Sequence, residues 1–119
     1  MTGKLTTHVL DTARGCPAAG LTIALWSIEP SGEKTLLKTV ITNVDGRTDS
    51  PLLTDGALQA GVYELVFGVG EYFAQHLQDL PQPPFLNEVP LQFGIADTTA
   101  HYHVPLLASP WSYSTYRGS

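Results

Sequence analysis
The side chains best equipped for chemistry crowd the end of this 119-residue chain, in His101-Tyr102-His103-Val104-Pro105-Leu106-Leu107-Ala108 and in the Ser109 to Ser119 segment that follows. The stretch reads as two strands joined by a Ser109-Pro110 turn. Alternate residues of an extended strand share a face. His101, His103 and Pro105 therefore look one way, and Tyr102, Val104 and Leu106 look the other, as a core face. The same parity sets Ser112, Ser114 and Tyr116 against Trp111, Tyr113 and Thr115. The Trp/Tyr side suits packing, and the Ser/Ser/Tyr side suits a small polar cavity whose walls could carry Tyr116 and the two imidazoles. The competing reading of the same residues is a solvent-facing polar surface. Imidazole exchanges protons near neutral pH, so the chemistry expected of such a cavity is acid–base catalysis. His101-x-His103 also has metal-ligand spacing, and with His8 from a neighbouring strand three nitrogens could hold zinc. No carboxylate or thiol is clearly at hand to complete such a site.

Other reactive residues have plainer readings. His8 is the only ionisable residue among Thr6-Thr7-His8-Val9-Leu10, and an isolated strand histidine is usually satisfied or exposed. Arg47 follows the Asp45-Gly46 turn, where an arginine is most often solvated. His76 reads as an outward helix residue. Asp11 and Arg14 flank a turn, where they can pair or cap backbone groups. Cys16, in Arg14-Gly15-Cys16-Pro17, reads as a half-buried turn residue, and Trp26 and Trp111 as packing anchors. No G-x-S-x-G elbow, P-loop, dinucleotide fingerprint or H-E-x-x-H is present. Ser109 and Ser114 lack an Asp-His arrangement.

Strands to hold these residues are expected at Thr6–Leu10, Leu21–Ile28, Lys34–Thr42, Gly61–Phe67, Asn87–Ile95, Ala100–Leu107 and Trp111–Tyr116. Thr48 to Ala60 reads as a loop with a short strand. Gly70–Leu77 is the one helical segment, too short to be stable without a sheet beneath it. Asp79–Leu86, with Pro81, Pro83 and Pro84, is a surface crossing. Seven to eight short strands with one helix predict an all-β, antiparallel two-sheet sandwich, a single domain over residues 1–119.

Composition narrows the function classes. Charged residues are 14% of the chain, against the usual ~25%, which suggests that part of the surface is buried against copies of the same chain. A net charge of −5 with six scattered basic residues argues against nucleic acid, whose phosphates need clustered Lys and Arg. One cysteine allows no internal disulfide and fits a reducing compartment. The start, Met1-Thr2-Gly3-Lys4-Leu5, has no apolar signal core, and no apolar run approaches a membrane span. Together these point to the cytoplasm.

Several of these segments carry a resemblance. Leu5-Thr6-Thr7-His8-Val9-Leu10-Asp11 with Ala13-Arg14-Gly15, then Asp45-Gly46-Arg47, then His101 to Leu107 and the terminal Tyr116-Arg117-Gly118-Ser119, together resemble the 5-hydroxyisourate hydrolases. These are the transthyretin-like enzymes of purine degradation. The likeness runs from about Leu5 to Ser119, and the Tyr-Arg-Gly-Ser ending is its most specific mark. Transthyretin itself looks similar in the Val-Leu-Asp…Arg-Gly and Ser-Pro…Tyr-Ser-Thr segments but has neither this histidine set nor this ending.

The resemblance implies a transthyretin-like sandwich forming a homotetramer, a dimer of dimers, around a central channel. It implies a catalytic set of His8, Arg47, His103 and Tyr116. His8, Arg47, Tyr116, His101, Ser114 and Ser119 would contact substrate. The implied reaction is hydrolytic opening of the six-membered ring of 5-hydroxyisourate at C6, with no organic cofactor. Either His103 or His8 would take the proton from water, and Arg47 would offer fixed donors to the substrate's oxygens. The alternative is a transthyretin-type carrier binding a small aromatic ligand in the same channel. A carrier has no need of paired imidazoles and an arginine, which cost free energy to desolvate.

Overall fold
Strand β1, Lys4–Asp11, alternates strictly: Leu5, Thr7, Val9 and Asp11 are buried, while Thr6, His8 and Leu10 are partly exposed. This period-two pattern is that of a strand with one face on a core and one face free. In the computed structural model, which describes residues 3–118, β1 lies at the centre of one sheet. It pairs antiparallel with β2, Cys16–Pro17, and with β5, Leu53–Thr54, and parallel with β8, His101–Ala108. Strand β9, Tyr113–Thr115, closes that sheet against β8. The second sheet is antiparallel, in the order β4, Lys34–Ile41; β3, Thr22–Ile28; β6, Gly61–Phe67; β7, Val89–Ile95.

Leu5, Val9 and Leu106 from the first sheet and Ile23, Leu25, Leu65 and Phe67 from the second are fully buried between the two. Each such side chain stabilises the sandwich by roughly 1.5–3 kcal/mol through burial. Helix α1, Val69–His76, follows β6 and buries Tyr72 and Phe73. Its fixed point is a polar one. The Tyr72 hydroxyl donates to Asp11 Oδ2 at 2.7 Å, and Arg14 Nε donates to the same oxygen at 3.0 Å. The backbone N–H groups of Ala13 and Arg14 donate to Asp11 Oδ1 at 3.0 and 2.9 Å. Asp11 and Arg14 thus do both things the sequence allowed, pairing and capping.

The expected all-β sandwich with one short helix is present, with three differences. Nine strands form rather than seven or eight, because Cys16–Pro17 and Leu53–Thr54 each add a two-residue pairing to β1. The Cys16 segment is therefore a strand pairing and not only a turn. The sheets are not wholly antiparallel, since β1 and β8 run side by side in the same direction. Parallel neighbours need a long crossover, and here most of the chain supplies it. Finally, Trp111 is no packing anchor: it is 56% exposed and lies against Phe85, with ring centroids 6.0 Å apart.

Candidate active site
The parallel pairing of β1 and β8 builds the site. Its register sets Lys4 beside His101, Thr6 beside His103 and His8 beside Pro105. Paired residues share a face, so the histidines of both strands stand on the outer side of the first sheet, away from the core. Tyr102, Val104 and Leu106 are buried on the inner side, as the alternation required. Between the two histidines of β8 stands Thr6. Its Oγ1 is 2.8 Å from His101 Nε2 and 2.8 Å from His103 Nδ1. The imidazole centroids of His101 and His103 are 6.1 Å apart.

Arg47 is brought in by a tight turn. The Asn43 carbonyl accepts the Gly46 N–H at 2.9 Å, and Asn43 Oδ1 accepts the N–H groups of Asp45 and Arg47 at 2.9 and 3.2 Å. Gly46 has φ +73°, and a Cβ there would strike the Val9 carbonyl. Only glycine meets both conditions at no steric cost. The Gly46 carbonyl then accepts the Val9 N–H at 2.8 Å, and Arg47 forms an isolated bridge to His8. The result is a pocket of about 420 Å³ lined by Lys4, Thr6, Arg47, Asp49, His101 and His103 among others. A larger cleft of about 840 Å³ lies at the ends of β3 and β6, lined by Ile28, Pro30, Leu37 and Val62. It gathers no comparable set of proton-transfer groups.

The chain end folds back over this face. Gly118 N–H donates to the His103 carbonyl at 2.7 Å. A Cβ on Gly118 would lie 2.6 Å from His103 Cδ2, so the missing side chain is what lets the backbone rest on the imidazole. Arg117 Nη2 reaches the His101 carbonyl at 3.4 Å, and its guanidinium sits 4.2 Å from the centroid of the Tyr102 ring.

Burial, and next the Arg47 guanidinium, lower both His8 and His103 below the usual histidine value of 6.5. His101 and His8 add to the lowering of His103, while the Asp45 backbone and carboxylate partly oppose that of His8. Both imidazoles are thus biased toward the neutral, proton-accepting form.

Tyr116 does not share the histidine pocket of its own chain. It is 61% exposed and lines a different groove, of about 540 Å³, with Pro90, Leu91, Tyr102, Val104 and Arg117. The parity argument fails there because β9 spans only Tyr113–Thr115. Ser112 belongs to the preceding turn, where its carbonyl accepts the Ser109 N–H at 2.9 Å. Ser114, opposite Leu107, is on the histidines' face but does not line their pocket. Tyr113, expected to pack, is 43% exposed. Ser119 lies outside the described residues. For the zinc alternative, no group of three His, Cys, Asp or Glu among the described residues is placed to hold a metal. The Thr6 hydroxyl engages the two nitrogens that His101 and His103 turn toward it. Thr6 and Gly118 were not singled out from the sequence. Thr6 was detectable, since it lies two residues before His8 and so on the same strand face.

A two-sheet sandwich with one short helix, bearing histidines and an arginine on the outer face of one sheet, is a transthyretin-like protein equipped for proton transfer. The chain belongs to the HIUase/Transthyretin family, whose model it matches over residues 5–118. It is 59% identical over 117 residues to the 5-hydroxyisourate hydrolase of Ralstonia nicotianae, covering 98% of this chain and 99% of that one. The structure of Klebsiella pneumoniae 5-hydroxyisourate hydrolase is similar with a TM-score of 0.79 at 33% identity, covering 98% of this chain and 99% of that chain. A crystal structure of (S)-allantoin synthase gives a TM-score of 0.93 at 48% identity, covering 99% of this chain. This chain spans 44% of that protein's length.

Proposed function
We propose that this chain, as one transthyretin-like domain, hydrolyses 5-hydroxyisourate in urate degradation. The carrying observation is that His8, Arg47, His101 and His103, distant in sequence, meet on one sheet face in a chain so similar to enzymes named for that reaction. Ring opening needs a water deprotonated near neutrality, donors for the developing oxyanion and a proton for the departing nitrogen. His103 is the base. Its Nδ1 is engaged by Thr6, which leaves Nε2 to take the proton as the water oxygen bonds to C6. Arg47 donates to the substrate oxygens, where negative charge develops. The bond from C6 to the ring nitrogen then breaks, and that nitrogen takes up the proton held by the histidines, with His8 orienting water or delivering it. The product is 2-oxo-4-hydroxy-4-carboxy-5-ureidoimidazoline. We place the reaction in the cytoplasm, on the single, unpaired cysteine. No helix among the described residues is long and apolar enough to cross a membrane.

Tyr116, Ser114 and Ser119 enter this reading through assembly. In a homotetramer, a dimer of dimers, the outer faces of two first sheets oppose each other, and tail residues of one chain can complete a neighbour's pocket. Two features support it: β7 and β9 are both open edge strands, and Trp111, Tyr113 and Tyr116 are exposed beside one of those edges. The carrier alternative is disfavoured, because a site for an apolar aromatic ligand gains nothing from two lowered imidazoles and a guanidinium.

The direct test follows the ultraviolet absorbance of freshly made 5-hydroxyisourate. Its decay accelerates on adding the protein, and His103→Asn slows turnover by roughly the 10²–10⁴-fold that a lost acid–base group costs. A folded His103→Asn protein with near-normal turnover would remove His103 from the catalytic set.

A further inference from the structure
We infer that Thr6 is a positioning residue that fixes the tautomer of His103, in a chain running from His103 Nδ1 through Thr6 Oγ1 to His101 Nε2. The inference rests on the hydrolase reading, in which His103 Nε2 receives the proton. Both links of the chain are 2.8 Å long, well within hydrogen-bond range. A hydroxyl has one proton to give. With two ring nitrogens bound to it, Oγ1 donates to at most one of them, and where it donates to one it accepts from the other.

Catalysis needs the arrangement in which Oγ1 accepts from His103 Nδ1. When His103 carries its hydrogen on Nδ1 and donates it to Oγ1, Nε2 keeps its lone pair and can accept a proton from water. Thr6 then donates to His101 Nε2, whose ring keeps its hydrogen on Nδ1. After His103 takes the water proton on Nε2, its Nδ1–H still points at Oγ1, so no bond in the chain is broken. In the reverse direction Oγ1 donates to His103 Nδ1, the hydrogen sits on Nε2, and His103 cannot act as a base. The third group of a serine–histidine triad does a comparable service for its histidine. Here a neutral hydroxyl does it, backed by a second imidazole.

Two surroundings make Thr6 suited to this task. It is held by the register of β1 against β8, directly beside His103, and not by a mobile side chain. The Gly118 backbone runs close beside the same ring, since a Cβ there would lie 2.6 Å from His103 Cδ2. A valine at position 6 keeps the β-branched shape that favours a strand and puts a methyl group in place of the hydroxyl.

The test uses full-length ¹⁵N-labelled protein without substrate, at a pH where the imidazoles are neutral, together with steady-state turnover of 5-hydroxyisourate. Wild-type His103 is expected to show ring-nitrogen shifts of the Nδ1–H tautomer. Thr6→Val is expected to move those shifts toward the Nε2–H form, lower kcat about 10–100-fold and leave KM little changed. That span is typical of losing a partner that fixes a histidine's tautomer and orientation. Thr6→Ser restores the tautomer and most of the rate, and thermal melting checks that each variant is folded. An Nε2–H tautomer in the wild type, or a Thr6→Val protein with unchanged His103 shifts and kcat within about twofold of wild type, would overturn the inference. A tautomer that follows Thr6 in a protein with no turnover of 5-hydroxyisourate would instead overturn the hydrolase reading and leave the Thr6 assignment standing.

Discussion
On the proposed reading His8 and His103 accept protons while facing an arginine, which would set the pH range of the site. His103 is faced by His8 and Lys4 from β1, His101 from its own strand, and Arg47 and Asp49 from the β4–β5 connection. His8 is faced by Arg47 and Asp45. Burial and the Arg47 charge act on the protonated forms, so both imidazoles stay neutral to lower pH than a free histidine. The acid limb of kcat/KM is therefore expected below 6.5, and Arg47→Gln, which removes a repelling charge, should shift the limb of its residual activity upward. An acid limb centred above 6.5 in the wild type would contradict this. The outward set of His101 and His103 was readable from alternation alone. Arg47 and His8 needed the family resemblance, because the turn that joins them is closed by a long-range contact of Gly46 with Val9. The worth of Thr6 was hidden for a related reason. It depends on pairing with a strand nearly a hundred residues later, a distance over which local periodicity says nothing.

At the scale of elements, strand β1, which carries Thr6 and His8, is anchored at its far end by Asp11. Burial pushes the Asp11 carboxyl up, but hydrogen bonds from Tyr72 and Arg14, with the Arg14 charge, outweigh it and hold the group below the usual carboxylate value. Burial first, and the hydrogen bond to Asp11 next, push the Tyr72 hydroxyl up to about 12. Tyr72→Phe should cost about 1.5–3 kcal/mol, the range for a hydrogen bond to a charged group, read as a shift in urea midpoint at constant m. The sign with pH follows from linkage. A carboxyl depressed in the folded state contributes stability that is present above its unfolded value of about 3.9 and is lost as pH falls through the lower folded value. The gap between wild type and Tyr72→Phe should accordingly be full at neutrality and shrink below about pH 4; a gap under about 0.5 kcal/mol at neutrality would mean the bond does not anchor β1. Strands β1, β3, β7 and β8 were legible to within a few residues because each buries one face, whereas β4 and β9 have no buried face and rested on their β-branched and aromatic residues and the turns beside them. While β5 is the short strand expected within Thr48 to Ala60, the two-residue strand β2 was not legible, being too short to show a period. Nor was the parallel β1–β8 pairing, which no local pattern encodes.

At the scale of the whole molecule, the pocket of a single chain is open on one side, and its tail tyrosine faces elsewhere. Both facts have the same resolution if the working unit is larger than one chain. Among the described residues, the edge strands include β9 in one sheet and β7 in the other, beside β2 and β4 at the opposite ends. Such edges are usually blunted or covered, and here three aromatic side chains stand uncovered beside β9. Edge-to-edge pairing would extend both sheets across a dimer, and stacking the histidine faces of two dimers would close the pockets. We expect light scattering to give four times the 12.8 kDa chain mass. Subunit sharing can be tested apart from mass by mixing two inactive variants, His103→Asn and Tyr116→Ala, through co-refolding. If Tyr116 of one chain serves His103 of another, random mixed tetramers regain activity, up to about a quarter of wild type, because half the sites keep each group. Mixed tetramers that stay inactive would return Tyr116 to its own chain's groove, and a fully active monomer would dismiss the assembly altogether.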